Sequence, residues 1–334
     1  MQKLFFLKKL TIKKAFNFLK LLISFNISNI LKRPFYWGMP SGISIEPTNL
    51  CNLFCKECPT GNQTLNRKKG NIDLEIYKKA INELSSYLTN VILYFQGEPY
   101  LNKLLFKMIS YANSKNIYTS TSTNGHFLDE ENSIKTIKSG LDELIISIDG
   151  ITQEVYENYR VGGSLEKVIS GINNIVKAKK KLKSKKPFVI IQFLVLKTNE
   201  HQIKEIKKLS KALGVNKLQL KSAQIYDYKN NSLLIPDIQK YSRYKKQKDG
   251  SFEIRSKLKN KCWRMWTNPV ITIEGDVIPC CFDKDAKYKM GNIKEESFEK
   301  IWRNKNYCNF RKRILKSRKN IDMCRNCTEG LRIQ

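Results

Sequence analysis

Six short runs rich in β-branched and aromatic residues, at 43–45, 91–95, 117–121, 144–148, 188–196 and 218–220, punctuate the middle of the chain, with helical patterns between them. One helix opens at the capping residue Asp73 and sets Tyr77, Ala80, Ile81, Leu84 and Leu88 on one face. Another runs over about 199–213 and stops at Gly214, a residue type that closes helices through left-handed backbone. The strand runs are continuously apolar rather than alternating, so both faces of the sheet should be covered. Alternation of strand and helix makes that sheet parallel. The pattern predicts an α/β fold of six β/α units, open or closed into a partial barrel, with its chemistry at the C-terminal strand ends.

Ahead of the first strand, Ile12, Ala15, Phe16, Leu19, Leu22 and Ile23 share one helical face, and Lys13, Lys14, Asn17, Lys20 and Ser24 lie opposite. Residues 1–41 therefore read as a basic amphipathic helical segment. Such a helix either packs its apolar face on the protein body or lies on an anionic bilayer surface, and the sequence leaves both open. Lysines interrupt every apolar run, no small-residue cleavage site follows, and no stretch reaches the length of a spanning helix.

Composition changes this picture little. Sixty-one Lys and Arg against 30 Asp and Glu give a net charge of +31. Residues 1–33 hold eight of the basic residues and no acid, and 177–186 hold seven lysines, so two segments carry about half of the surplus. The lysine run reads as a helix end and loop before the fifth strand. With no RNA-binding module evident, nucleic acid is not the expected partner. Nine cysteines fall mostly in tight clusters, which points to metal in a reducing, cytoplasmic compartment rather than to a disulfide framework.

The first cluster, Cys51, Cys55 and Cys58, is spaced C-x3-C-x2-C just after the first strand. Three thiolates on one loop can hold three corners of a four-iron cluster and leave the fourth iron open. A structural zinc site would need a fourth nearby ligand, and His126 is the nearest Cys or His.

These residues resemble the signature of radical S-adenosylmethionine (SAM) enzymes, and further segments match in order. Gln96, Gly97 and Glu98 are similar to the Gly-Gly-Glu segment that meets the SAM amino group, with Gln96 replacing the first glycine. Thr123-Asn124-Gly125 follows the third strand, Ser147-Ile148-Asp149-Gly150 closes the fourth, and Arg160 follows. The resemblance implies that Ser147 and Arg160 meet the SAM carboxylate and that Val195, Leu196 and Asn199 line the adenine side. Glu57 departs from the family, which usually has an apolar or aromatic residue before the last cysteine. The resemblance covers 42 to about 221 and implies a partial (β/α)6 TIM-like barrel over 42–225. It also implies a flavodoxin- or ferredoxin-like reductant, reductive cleavage of SAM, and hydrogen abstraction by a 5′-deoxyadenosyl radical.

A polar junction over 226–261 leads to the remaining six cysteines. Cys262, Cys280 and Cys281 bracket a hairpin-like segment, and Cys324 and Cys327 form a distant C-x2-C pair. On spacing alone, four such ligands suit zinc or an iron–sulfur cluster. The segment 262–334 resembles the SPASM extension of radical SAM enzymes, in its shorter "twitch" form, a small cysteine-rich α+β domain. That resemblance implies one auxiliary [4Fe-4S] cluster on Cys262, Cys280, Cys324 and Cys327, with Cys281 a spare thiol or an alternative to Cys280. Cys308 reads as a buried helix thiol, and Asp283 as a residue near the cluster. A fully ligated auxiliary cluster implies electron transfer, hence two-electron oxidation of a small molecule or sugar. Peptide or RNA modification is the alternative, and a non-catalytic iron–sulfur or zinc protein is the alternative of another class.

Overall fold

The computed structural model describes residues 2–230 and 232–327. Six strands form in the predicted order: β1 (Gly42–Ile45), β2 (Asn90–Ile92), β3 (Tyr118–Thr123), β4 (Glu143–Ser147), β5 (Phe188–Val195) and β6 (Lys217–Ser222). All five pairings between successive strands are parallel, and they stand side by side in sequence order, the arrangement of a partial (β/α)6 TIM-like barrel. Ile43, Ile45, Val91, Leu144, Ile146, Ile191 and Phe193 are fully buried, each worth about 1.5–3 kcal/mol of apolar burial.

The helix signals act as predicted. Asp73 caps Leu74–Leu84 by accepting from the amides of Glu75 and Ile76, and Gly214 adopts φ +67° beyond Ile203–Ala212. The lysine run is the end of Leu165–Lys181 and the loop before β5. Strand ends differ from expectation. β2 stops at Ile92 because the chain turns toward the cysteine loop, where the Glu98 amide donates to the Leu50 carbonyl (2.7 Å). β3 and β6 continue to Thr123 and Ser222, polar residues that still carry ladder pairs and that the apolar pattern left out.

The junction holds an antiparallel pair, β7 (Tyr244–Lys246) and β8 (Phe252–Ile254), which its polar sequence hid. Beyond it, β9 (Val270–Ile271) and β10 (Asp276–Ile278) form the expected hairpin, turned at Gly275 (φ +88°), and β11 (Gly291–Asn292) pairs with β10. β9 also pairs in parallel with β1, so the barrel sheet continues into the C-terminal cysteine-bearing region as nine strands. The last seven residues of the predicted 262–334 segment lie outside the described residues.

The Ile12–Leu31 helix forms, but its polar face turns inward. Lys14, Asn17, Leu21, Ser24 and Ser28 are buried, while Ile12, Phe16, Leu19, Leu22, Ile23 and Ile30 are exposed. Specific polar bonds fix this orientation. Asn17 exchanges two 2.8 Å hydrogen bonds with the Met39 backbone, Lys14 Nζ donates to the Asn116 carbonyl (2.6 Å), and Ser28 bonds the Phe35 backbone. Packing of the apolar face on the body, one of the two sequence readings, is therefore reversed.

Candidate active site

At the end of β1 the chain enters the cysteine loop through Glu46, which is fully buried. Its carboxylate takes both terminal nitrogens of Arg67 (2.6 and 2.8 Å) and the amide of Ile273 (3.1 Å), while Arg67 Nε donates to the Lys284 carbonyl (2.8 Å). One buried ion pair thus clamps the strand end to the C-terminal hairpin. The sequence reading passed over it, since no spacing links 46 to 67.

Beyond this clamp, Cys51, Cys55 and Cys58 line one cavity of about 370 Å³ together with Gln96, Gly97, Glu98, Ser147 and Arg160. All nine cysteines are thiols rather than disulfides. Burial pushes the Cys51 thiol up to about 11 and also raises Cys55, which Arg160 Nη1 opposes from 3.9 Å. Three soft donors lining one cavity, Cys51 and Cys55 desolvated and Cys55 also facing a guanidinium, suit the thiolate ligands of an iron–sulfur cluster, which would release their protons on binding. Among the described residues no three His, Cys, Asp or Glu side chains gather as they would around a single metal ion. A four-iron cluster spreads its ligands over a cube instead.

Gly97 has φ +72°, and a Cβ there would fall 2.6 Å from the Leu50 carbonyl oxygen. Only glycine lets this segment close on the cysteine loop. Glu98 follows, buried, and accepts from Thr123 Oγ1 (2.8 Å) and the amides of Asn124 (2.7 Å) and Tyr100 (3.2 Å). Burial outweighs these donors and lifts its carboxyl to about 7, poised to gain a cationic partner. The Thr123-Asn124-Gly125 element is thus the cradle of Glu98.

Ser147, at the end of β4, lines the same cavity. Asp149 holds Arg160 Nε at 2.6 Å and accepts from the Leu194 amide (2.6 Å), which aims the guanidinium at the cysteines. Asn199, fully buried, donates to the carbonyls of Asp149 and Leu194 and accepts from the Leu196 amide, so it pins the end of β5 to the end of β4. Glu57 lines the cavity as well and accepts from the Tyr226 amide (2.8 Å). Lys221 and Arg243 close the far wall, and among the described residues the only acidic side chains lining the cavity are Glu57 and Glu98. A larger cavity of about 780 Å³ adjoins it, sharing Glu57, Tyr226 and Lys284.

Cys262, Cys280, Cys324 and Cys327 are all buried, and their thiols interact: Cys262 raises both Cys280 and Cys324. Arg318 Nη2 donates to Cys327 Sγ (2.9 Å). Cys281 differs. It packs against Phe95 and Ile278 and takes Arg264 Nη1 at 3.3 Å. The hydrogen bond with Cys280, then Arg264 and Lys284, brings its thiol down to about 5. Asp283 caps its own turn by accepting from the amides of Lys287 and Tyr288, and Cys308 lies half-buried on the Lys305–Ser317 helix rather than fully buried.

Comparison with known proteins agrees with this geometry. Residues 45–210 match the Radical SAM superfamily, and residues 262–328 match SPASM, an iron–sulfur cluster-binding domain, together more than two thirds of the chain. The chain is 26% identical to an S-adenosyl-L-methionine-dependent 2-deoxy-scyllo-inosamine dehydrogenase of Niallia circulans, over 86% of this chain and 92% of that protein. It is 25% identical to a tungsten-containing aldehyde ferredoxin oxidoreductase cofactor-modifying protein of Pyrococcus furiosus, over 80% and 82%. Among solved structures, SuiB of Streptococcus suis bound to S-adenosylmethionine shares the fold at a TM-score of 0.64 with 15% identity, over 88% of this chain and 73% of that one. A native anSMEcpe with bound AdoMet does so at 0.61 with 19% identity, over 87% and 91%. Such enzymes use SAM and a [4Fe-4S] cluster, with auxiliary iron–sulfur clusters in the SPASM domain. The chain belongs to the radical SAM superfamily and is an enzyme of its SPASM-bearing branch.

Proposed function

We propose that this enzyme oxidises a small polar molecule, such as a sugar or cyclitol, by two electrons. The barrel over 42–225 binds SAM, and the 262–334 segment holds one auxiliary cluster. When bound, SAM and the clusters supply reductive cleavage to a 5′-deoxyadenosyl radical and an acceptor for the second electron, fed by a flavodoxin- or ferredoxin-like protein.

The chain's own residues position and shield these groups. Cys51, Cys55 and Cys58 hold the first cluster, with Arg160 offsetting their negative charge. Gly97 brings Glu98 over the cysteine loop, where its carboxylate takes the SAM amino group, and Ser147 and Arg160 take the carboxylate. Asn199 fixes the adenine-side segment. Cys262, Cys280, Cys324 and Cys327 hold the auxiliary cluster, with Arg318 donating to Cys327. Lys221 and Arg243 orient the substrate through an acidic group. Among the described residues the Lys221 ammonium has no hydrogen-bond or ion-pair partner, and Arg243 Nη1 is buried without one.

The observation that carries this reading is the convergence of three cysteines, Glu98 and Arg160 on one cavity at the C-terminal strand ends. The similarity to the inosamine dehydrogenase along nearly its whole length favours small-molecule oxidation. The adjoining 780 Å³ cavity favours, as a second reading, a peptide substrate, since PqqA peptide cyclase of Gluconobacter oxydans is also 25% identical, over 54% of its length. Incubation with deuterated sugar acids or with peptides tests the pair. Deuterium in 5′-deoxyadenosine with the sugar alone supports the first, and with the peptide alone the second. A Cys280→Ala, Cys327→Ala variant should still form 5′-deoxyadenosine yet lose the oxidised product.

A further inference from the structure

We propose that the outward face of the Ile12–Leu31 helix docks the enzyme on an anionic lipid bilayer. Ile12, Phe16, Leu19, Leu22, Ile23 and Ile30 form one apolar stripe and are 90, 58, 48, 42, 41 and 77% exposed. Positions three and four apart on a helix share a face, so these residues form a continuous surface and not scattered exposures. The helix cannot roll to hide them, because Lys14, Asn17 and Ser28 are bonded to backbone at Asn116, Met39 and Phe35 on its other side.

Charge selects the occupant. Lys8, Lys13, Lys20, Lys32 and Arg33 are exposed along and beyond the stripe, and the chain has no acidic residue before Glu46. Lys20 Nζ sits 4.7 Å from the Phe16 ring centroid, so a cation stands directly against the apolar stripe. An apolar stripe edged by cations with no anions fits the boundary between acyl chains and anionic headgroups. A second copy of the chain would bring cations against cations.

Orientation follows from the fold. The helix is tied to Met39, just before β1, and to Asn116, just before β3, whereas the cysteine loop leaves the opposite end of β1. The docked enzyme therefore turns its active-site mouth toward the aqueous side.

The test is flotation of the full chain with phosphatidylglycerol/phosphatidylcholine vesicles and with phosphatidylcholine alone, beside a Leu19→Glu, Ile23→Glu variant and a Lys13→Gln, Lys20→Gln variant. Circular dichroism confirms that each is folded, since the substituted side chains are exposed. The wild type should float with the anionic vesicles at low salt, the apolar-face variant at least about tenfold less, and the lysine variant should lose most of its preference for anionic lipid. A wild type that stays with the protein fraction, or that floats equally with the apolar-face variant, overturns the proposal. So does a concentration-dependent dimer abolished by Leu19→Glu, Ile23→Glu in a chain that ignores vesicles, which would make a second copy the occupant.

Discussion

Glu98 is the residue whose environment most directly forecasts behaviour. Burial raises its folded carboxyl to about 7, so between the ordinary carboxylate range and pH 7 the folded protein retains a proton that the unfolded chain has lost. Ionising it costs stability until a cation arrives. SAM affinity should therefore rise about fivefold between pH 6 and 7, less than about twofold more by pH 8, and level off above that, as measured by calorimetry on the reconstituted protein. Glu98→Gln should bind more weakly and show no such slope. At the far wall, Lys221→Met should leave SAM affinity unchanged while raising the KM for an acidic substrate by tenfold or more, because two cations share one desolvated wall. Cys51, Cys55, Cys58, Gly97 and Glu98 were legible in the sequence because they lie in contiguous motifs. The Glu46–Arg67 clamp and the Lys221 and Arg243 wall were not, because residues distant in sequence meet there only through folding.

At the level of elements, the cysteine loop is held from two sides. Arg67→Ala would leave the Glu46 carboxylate buried and unpaired, and should cost about 3–5 kcal/mol in chemical denaturation, with loss of iron from both clusters since the pair ties β1 to the C-terminal hairpin. Gly97→Ala should cost stability too, by about 1–3 kcal/mol, and impair iron incorporation on the first loop, because its Cβ strikes the Leu50 and Thr48 carbonyls at positive φ. Strand order and helix caps followed from apolar runs and from Asp73 and Gly214. Where polar residues continue a strand, as at Thr123 and Ser222, the apolar pattern stopped short. The N-terminal helix taught the opposite lesson: its amphipathic pattern was correctly read, yet polar bonds from Lys14, Asn17 and Ser28, invisible to a periodicity argument, decided which face turns inward.

For the whole molecule, the nine-stranded sheet joins the SAM barrel to the SPASM region through β1 and β9, so the two cysteine sets are parts of one framework. Their separate positions predict separable iron contents: the anaerobically reconstituted wild type should hold two four-iron clusters, and removal of either cysteine set should leave one. The central claim is that Cys51, Cys55 and Cys58 with Glu98 and Arg160 form a working SAM-cleaving site. It is tested most directly by anaerobic reconstitution followed by incubation with SAM and dithionite. The wild type should produce 5′-deoxyadenosine and the Cys58→Ala variant only background. Equal amounts from the two, or none from a wild type with its clusters in place, would contradict the account.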